Sequence, residues 1–221
     1  MDFNARPTEL STEVIEALRT SFKSEVRTGI HVSDLVFPRK AWMQRHFPNL
    51  DLSDDECLYF ICGRAHHGII ENLIASDKMK EYGLEWNGVT GTVDIMKDTG
   101  IPVEFKTTRS AKQWSMKNLP SHYVRQLGYY VAMHNRDAPE GVGELLILYL
   151  ARRERDFMLR ERSRPVLKSY SITYPNLDLI RGEMLLRKAM VMQSFAPPVE
   201  TCEKWMCLLC KFHQVECEGC P

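Results

Sequence analysis

The sequence lacks long apolar runs, an excess of either charge, internal repeats and low-complexity tracts. A membrane-spanning helix needs about 18–20 consecutive apolar residues, and no run of that length occurs, so a membrane protein is not expected. Of the 221 residues, 29 are basic and 29 acidic, which gives a net charge of zero. The protein as a whole therefore has no field that would attract nucleic acid, and any such attraction must be local.

The first residues of the sequence do not predict an export signal. The first residues, Met-Asp-Phe-Asn-Ala-Arg, lack the layout of a secretory signal, in which positive charge is followed by an apolar stretch. We therefore expect a cytoplasmic protein. A length of 221 residues fits one medium-sized domain, alone or with a small appendage, and is long enough to bury a sizeable core.

The order of the predicted elements indicates an α/β fold. Helices and strands alternate after an all-helical N-terminal part, which predicts a mixed sheet flanked by helices. Ala196-Pro197-Pro198 ends the last helix and separates a main domain, residues 1–195, from a tail, residues 196–221. The predicted helices are 10–28, 33–47, 55–79, 119–134 and 174–194, and the predicted strands are 85–96, 101–108, 144–151 and 166–173.

The tail is rich in cysteine. Seven cysteines occur in the chain, and five of them fall in the last 20 residues: Cys202, Cys207, Cys210, Cys217 and Cys220. In a chain without an export signal, such clustering indicates metal binding rather than disulfides. With Cys202 the spacing is C-x4-C-x2-C, which is known to hold iron–sulfur clusters. With Cys220 it becomes two C-x2-C pairs, which are typical of structural zinc.

Candidate catalytic residues lie on a predicted hairpin. Gly91-Thr-Val-Asp94 is followed by a turn and by Pro102-Val-Glu104-Phe-Lys106. Because side chains alternate along a strand, Glu104 and Lys106 face the same side, and Asp94 can lie beside Glu104 on the neighbouring strand. Two carboxylates and an ammonium group on one polar face suit a divalent metal and its bound water.

Two predicted helices supply further polar side chains. His67, on the helix before the hairpin, would add an imidazole and make a mixed nitrogen and oxygen site that suits manganese as well as magnesium. On the helix after the hairpin, His122, Gln126 and Tyr130 are spaced four residues apart and share one helical face. Gln126 could hold Lys106 or the attacking water, and Tyr130 could contact a phosphate.

The order of these motifs, G-x3-H, G-x-V-D, E-x-K and Q-x3-Y, resembles that of the RecB-like branch of the PD-(D/E)xK nucleases. With the terminal cysteines added, the sequence is most similar to the nuclease family of CRISPR adaptation called Cas-four. The resemblance spans roughly residues 31–217. The segment VSDLVFPRKAW matches a Cys-Pro-Arg motif of that family, with Phe37 at the position of the family's cysteine.

The resemblance implies a restriction-endonuclease-like core and a cysteine-rich tail that packs on the N-terminal helices. It implies that one Mn²⁺ or Mg²⁺ is bound by His67, Asp94, Glu104 and the backbone carbonyl of Phe105. Lys106, Gln126 and Tyr130 would complete the catalytic set. The tail would hold an iron–sulfur cluster, of the 4Fe–4S type, with zinc as the alternative; its expected ligands are Cys202, Cys207, Cys210 and Cys217.

The implied activity is hydrolysis of DNA with single-stranded ends, by an exonuclease that also acts as an endonuclease. Its task would be the processing of DNA fragments for CRISPR spacers, with the CRISPR integrase complex as a partner. A homo-oligomer would also be compatible with this role. Two alternatives stay open at this point. One is a RecB-like nuclease of recombination, repair, a virus or a mobile element. The other is a non-catalytic, zinc-containing DNA-binding or assembly protein.

Overall fold

The structure, a computed structural model, describes residues 10–21, 28–48, 52–74, 80–108, 118–155, 161–199, 202, 210–212 and 217. Within these ranges the chain forms a mixed α/β fold in which helices flank one six-stranded sheet. The helices are α1 (Leu10–Ser21), α2 (Val32–Val36), α3 (Pro38–His46), α4 (Asp54–Ile74), α5 (Ser121–His134) and α6 (Leu177–Met192). The strands are β1 (Ile30–His31), β2 (Lys80–Trp86), β3 (Val89–Met96), β4 (Pro102–Thr108), β5 (Gly141–Arg155) and β6 (Glu161–Tyr174).

Strand β3 organises the sheet. Antiparallel β2 pairs along the whole of one edge of β3. The other edge is shared, because parallel β1 pairs with Val89 and Thr90 while antiparallel β4 pairs with Ile95 and Met96. Residues Gly91 to Asp94 lie between these two pairings, and we call this gap in the sheet the fork. Beyond β4 the sheet continues through parallel β5 to antiparallel β6.

One predicted helix is two helices in the structure. The expected segment 33–47 is interrupted at Phe37, which is not helical (φ −131°, ψ 74°), and α3 begins at Pro38. The residue before a proline is disfavoured in the helical region, and proline itself is well tolerated in the first turn. Pro38 therefore starts a helix, whereas the prediction placed it inside one.

One predicted strand is a hairpin. The expected strand 85–96 is divided by Asn87 and Gly88, both of which have positive φ, 45° and 67°. Asn-Gly is the sequence preferred in two-residue hairpin turns, because such a turn needs positive φ at both central residues. The strand on the N-terminal side of this turn, β2, was not predicted over most of its length.

The other predicted elements are largely confirmed within the described residues. The last predicted helix begins later, because Tyr174 ends β6 and Asn176 caps α6, its side chain accepting the Leu179 N–H at 3.0 Å. Parts of two predicted helices, residues 22–28 and 75–79, lie outside the described residues except for Thr28. Among the described helices, none is long and apolar enough to cross a membrane.

Helix α5 packs closely on the sheet because β5 carries glycine where the two meet. A Cβ at Gly143 would lie 2.8 Å from the side chains of both Leu127 and Val131. These two residues are fully buried, together with Leu145 and Ile147 of β5. The core between α5 and the sheet fixes the height of α5 above the strands that carry the candidate catalytic residues.

A second, smaller core joins α3 to the few described residues of the tail. Trp42 and Met43 pack with Phe212 and Cys217, all of them buried. Arg39 adds two hydrogen bonds, donating to Cys217 Sγ at 3.1 Å and to the Pro197 carbonyl at 2.6 Å. The described residues of the tail thus contact α3, while the division into domains 1–195 and 196–221 stays a prediction.

Candidate active site

The candidate site lies at the fork, where the ladder between β3 and β4 stops. The Phe105 N–H donates to Asp94 Oδ2 at 2.7 Å. A side-chain carboxylate thus replaces a strand carbonyl as the partner of this backbone group. The bond orients the Asp94 carboxylate and leaves Oδ1 directed toward α4.

Helix α4 brings an imidazole to this carboxylate. His67 Nδ1 lies 3.6 Å from Asp94 Oδ1. The His67 ring also meets the Phe105 ring edge-on, with centroids 4.7 Å apart and planes inclined by 63°. The aromatic contact limits how far the imidazole can move away from Asp94.

Glu104 and Lys106 form an ion pair on the same strand. The Lys106 ammonium donates to Glu104 Oε1, as expected for side chains two residues apart on one face of β4. Glu104 is almost fully buried, and its other oxygen, Oε2, has no hydrogen-bond partner among the described residues. A buried carboxylate oxygen without a partner is costly, and such an atom marks a place for a cation or a water molecule.

The buried pair has shifted pKa values. Burial, and then the nearby charge of Asp94, raise the pKa of Glu104 to about 7, although the charges of Lys106 and His67 act in the opposite direction. Burial alone lowers the pKa of Lys106, but the carboxylates of Glu104 and Asp94 outweigh it, so that this pKa is raised. Lys106 is therefore a cation at neutral pH, held among the acidic side chains.

Helix α5 covers the site with two of the predicted residues. Gln126 Nε2 donates to the Tyr130 hydroxyl at 3.2 Å. Burial, followed by the charge of Glu104, raises the pKa of Tyr130 well above its usual value. A Cβ at Gly91 would lie 2.8 Å from the Tyr130 ring, so the glycine of the G-x-V-D motif gives this ring room beside β3.

The third residue of the predicted polar stripe lies elsewhere. The His122 ring contacts Phe37, with centroids 5.6 Å apart, and Tyr123, with centroids 4.4 Å apart. Its neighbour Tyr123 takes the place nearer the site, since Lys106 Nζ lies 5.7 Å from the centroid of the Tyr123 ring. Sequence reasoning missed Tyr123, although Tyr123, Gln126 and Tyr130 share one face of a helix at spacings of three and four.

The chemical types of the side chains at the site suit a divalent cation. An imidazole and two carboxylates suit Mn²⁺ or Mg²⁺, and Glu104 Oε2 is available. In the part of the chain that the structure describes, however, no three His, Cys, Asp or Glu side chains are grouped closely enough to hold a metal ion. His67 with Asp94 forms one pair, and Glu104 with Lys106 forms another.

The tail cysteines are only partly described. Cys202, Cys210 and Cys217 are free thiols, while Cys207 and Cys220 lie outside the described residues. Burial, and then the neighbouring Cys210 and Cys217, raise the pKa of Cys202. Thiols are the soft ligands that iron–sulfur clusters and zinc prefer, although these three described cysteines are not grouped closely enough to hold a metal ion.

Comparison with known proteins gives a fold relationship. No protein-family model matches the chain, and no curated protein matches it. The crystal structure of SSO0001 is similar over 97% of this chain and 98% of that chain, with a TM-score of 0.58 and 20% sequence identity. At this identity the similarity concerns the fold alone. It supports the mixed α/β architecture described above.

Proposed function

We propose that the protein is a metal-dependent DNA nuclease of the PD-(D/E)xK type, with a restriction-endonuclease-like core. The observation that supports this most is the arrangement at the fork. Asp94 with His67 lies beside the buried pair of Glu104 and Lys106, and a glutamate oxygen is left without a partner among the described residues. Acid, acid and lysine on neighbouring strands are the groups that this chemistry needs.

The proposed metal ligands are His67, Asp94, Glu104 and the Phe105 carbonyl. A divalent cation held there would lower the pKa of a bound water and polarise a phosphodiester oxygen. The protein's own contribution is to hold the two carboxylates close together. Lys106 does this by offsetting their negative charge, and the Phe105 N–H does it by orienting Asp94.

The remaining roles belong to Lys106 and α5. Lys106, as a cation, orients the attacking water and stabilises the negative charge that develops on the phosphate. Tyr130, fixed by the hydrogen bond from Gln126, positions the scissile strand. Tyr123 lies against the ammonium of Lys106 and limits its movement.

The proposed substrate is DNA with single-stranded ends, cut by exonuclease and also by endonuclease action. We propose the Cas-four role, the processing of fragments before their integration as CRISPR spacers, together with the CRISPR integrase complex. The same site would serve a RecB-like nuclease of repair or of a mobile element. Assays with the purified integrase complex separate these roles, because only the first predicts a stable complex and processed fragments of defined length.

The nuclease proposal is tested with labelled single-stranded and double-stranded DNA in the presence of Mn²⁺. We expect the parent protein to degrade DNA and Asp94→Ala to be inactive. Lys106→Ala should abolish cutting yet leave folding and DNA binding largely intact, because the ammonium acts on the reacting groups. Cutting by Lys106→Ala at the parent rate would show that the role assigned to Lys106 is wrong.

We further propose that the tail holds an iron–sulfur cluster through Cys202, Cys207, Cys210 and Cys217. Sulfur-to-iron charge transfer would make anaerobically purified protein brown, and iron and sulfide would be present in stoichiometric amounts. Colourless protein with one zinc per chain would contradict the cluster. That outcome, combined with an absence of cutting, would support the non-catalytic zinc protein instead.

A further inference from the structure

Helix α6 has an apolar face that points away from the core. Its inward face is buried through Leu177, Met184 and Val191. Its outward face has a second set of apolar residues at helical spacing, all exposed to solvent. We call this set the outer stripe; its members are Leu179, Gly182, Leu186 and Ala189, with Leu185 and Met192 beside them.

The outer stripe is unusually exposed for its composition. Leu179 is 72% exposed, Leu186 59% and Met192 63%, and Phe195, just beyond the helix, is 67% exposed. A helix that is apolar on both faces is normally buried on both, since a surface helix places its charged residues outward. Here the outward face between Leu179 and Met192 holds no charged residue at all.

Asp178 lies at the N-terminal end of the stripe and accepts from Arg181 at 2.7 Å, while the charged residues after it lie at the sides of the stripe and are engaged within the chain. Glu183 accepts hydrogen bonds from Arg125 at 3.0 Å and from Arg187 at 2.7 Å. Lys188 donates to the Asn87 carbonyl at 2.6 Å. The side chains of Glu183, Arg187 and Lys188 are thus directed to partners within the chain, and none of them covers the stripe.

We propose that the outer stripe binds a second copy of this chain, with the two α6 helices antiparallel across a two-fold axis. The stripe alternates large and small residues in the order Leu179, Gly182, Leu186, Ala189. In an antiparallel copy the order is reversed. About one common axis, Leu179 then faces Ala189 and Leu186 faces Gly182, so that each leucine meets a small residue. This self-complementary pattern is what an isologous interface requires.

The exposed area is sufficient for a weak dimer. The four large side chains of the stripe, together with Phe195 just beyond the helix, each correspond to roughly 60–120 Å² of apolar surface when fully exposed, and they offer on the order of 300 Å² per copy. A standard interface buries about 800 Å² per partner, a little over half of it apolar. The stripe supplies most of such an apolar centre, and weak association is expected because the interface is small.

The tail of the same chain fits the stripe less well than a second copy does. The stripe extends from Leu179 to Met192, about 20 Å along the helix axis. The tail leaves from the C-terminal end of α6, and its described residues Phe212 and Cys217 pack on α3 instead. A second copy covers the whole length at once, because its own stripe is equally long.

Sedimentation velocity of the purified full chain tests the proposal, at protein concentrations from a few to a few hundred micromolar. The parent chain should pass from monomer to dimer over this range. Leu186→Lys should weaken the dimer by at least about tenfold. Leu73→Lys on α4, which replaces an equally exposed leucine (74%), is the matched control and should leave the dimer unchanged.

A second variant separates a loss of association from a loss of folding. A Cβ at Gly182 meets nothing within 4 Å inside the chain, so Gly182→Leu should fold normally yet place leucine against leucine in the dimer. It should therefore weaken association while its thermal unfolding matches that of the parent. A parent chain that stays monomeric at the highest concentration overturns the proposal, as does a dimer that neither stripe variant weakens. Neither result depends on nuclease activity.

Discussion

Lys106 is held by two contacts of different kinds. Glu104 binds its ammonium as an ion pair, and the Tyr123 ring lies 5.7 Å from Nζ. A cation over an aromatic face is stabilised by about 0.5–2 kcal/mol, depending on how far it is removed from water. The ion pair fixes the charge, whereas the ring restricts the direction in which the ammonium can swing.

Substitution of Tyr123 should therefore affect turnover more than substrate binding. We expect Tyr123→Leu to lower kcat by about fivefold, the effect of roughly 1 kcal/mol, with little change in KM. Tyr123→Phe keeps the ring and should retain nearly the parent rate. Steady-state kinetics with an oligonucleotide substrate measures both variants. Equal losses in the two variants would show that the hydroxyl, rather than the ring, is what matters.

The raised pKa of Glu104 predicts how stability changes with pH. Because the folded protein keeps this proton up to a pH of about 7, while the usual value is 4.5, stability should fall as the pH rises between these values. The loss should reach about 3 kcal/mol, since one pKa unit corresponds to about 1.4 kcal/mol. Chemical denaturation in the presence of a chelator, from pH 4.5 to 8, measures it.

Glu104→Gln is the control for this titration. Glutamine has no proton to lose, so the variant should show a flatter dependence of unfolding free energy on pH over the same range. Parallel curves for the parent and the variant would mean that Glu104 ionises at its usual pKa. They would place the cause of any pH dependence in other side chains.

At the scale of single elements, strand β3 and helices α2 and α5 meet at Gly91 in the fork. A Cβ at this position would lie 2.7 Å from the Val32 side chain of α2 and 2.8 Å from the Tyr130 ring of α5. Gly91→Ala should destabilise the protein by about 1–3 kcal/mol, as overpacking usually does, and should displace Tyr130 from the site.

Gly83→Ala on β2 is the matched control, since a Cβ there meets nothing within 4 Å. It should change stability by less than about 0.5 kcal/mol, as exposed substitutions usually do. Thermal and urea unfolding of both variants measures the difference. Similar unfolding curves for Gly91→Ala and the parent would show that α2 and α5 can move away from β3 at little cost.

The elements also show where local sequence signals were sufficient. Strand β4 and helix α5 were predicted close to their observed bounds, because the local sequence patterns that favour a strand or a helix act over a few residues. Two short signals override the longer patterns: Pro38, before which α2 ends, and Asn87-Gly88, which forms the turn between β2 and β3. Both are backbone effects of single residues, and they act independently of the hydrophobic pattern.

At the scale of the whole molecule, the second core joins the described residues of the tail to α3. Phe212 is 1% exposed and packs with Trp42 and Met43. Phe212→Ala should lower the free energy of unfolding by about 3 kcal/mol, through lost burial and the cavity left behind. Circular dichroism at increasing temperature should show the main transition, which reports α3 and the sheet, moving down by several degrees.

An exposed phenylalanine provides the comparison for Phe212. Phe195 is largely exposed, and Phe195→Ala should leave the main transition nearly unchanged at concentrations where the chain is monomeric. An unchanged transition for Phe212→Ala as well would mean that the tail folds apart from α3. The predicted division at residue 196 would then separate two independent units.

The sequence by itself determined the identities and order of the candidate catalytic groups, because the E-x-K alternation on β4 is a property of any strand. It also determined the mixed α/β class, since that class follows from the order of helices and strands. Only the tertiary structure decided that β1 and β4 share one edge of β3 and so leave a fork beside Asp94. Only it decided that Tyr123, and not His122, lies against Lys106. These outcomes depend on contacts between residues far apart in the chain, and a local pattern contains no information about which distant surface will meet it.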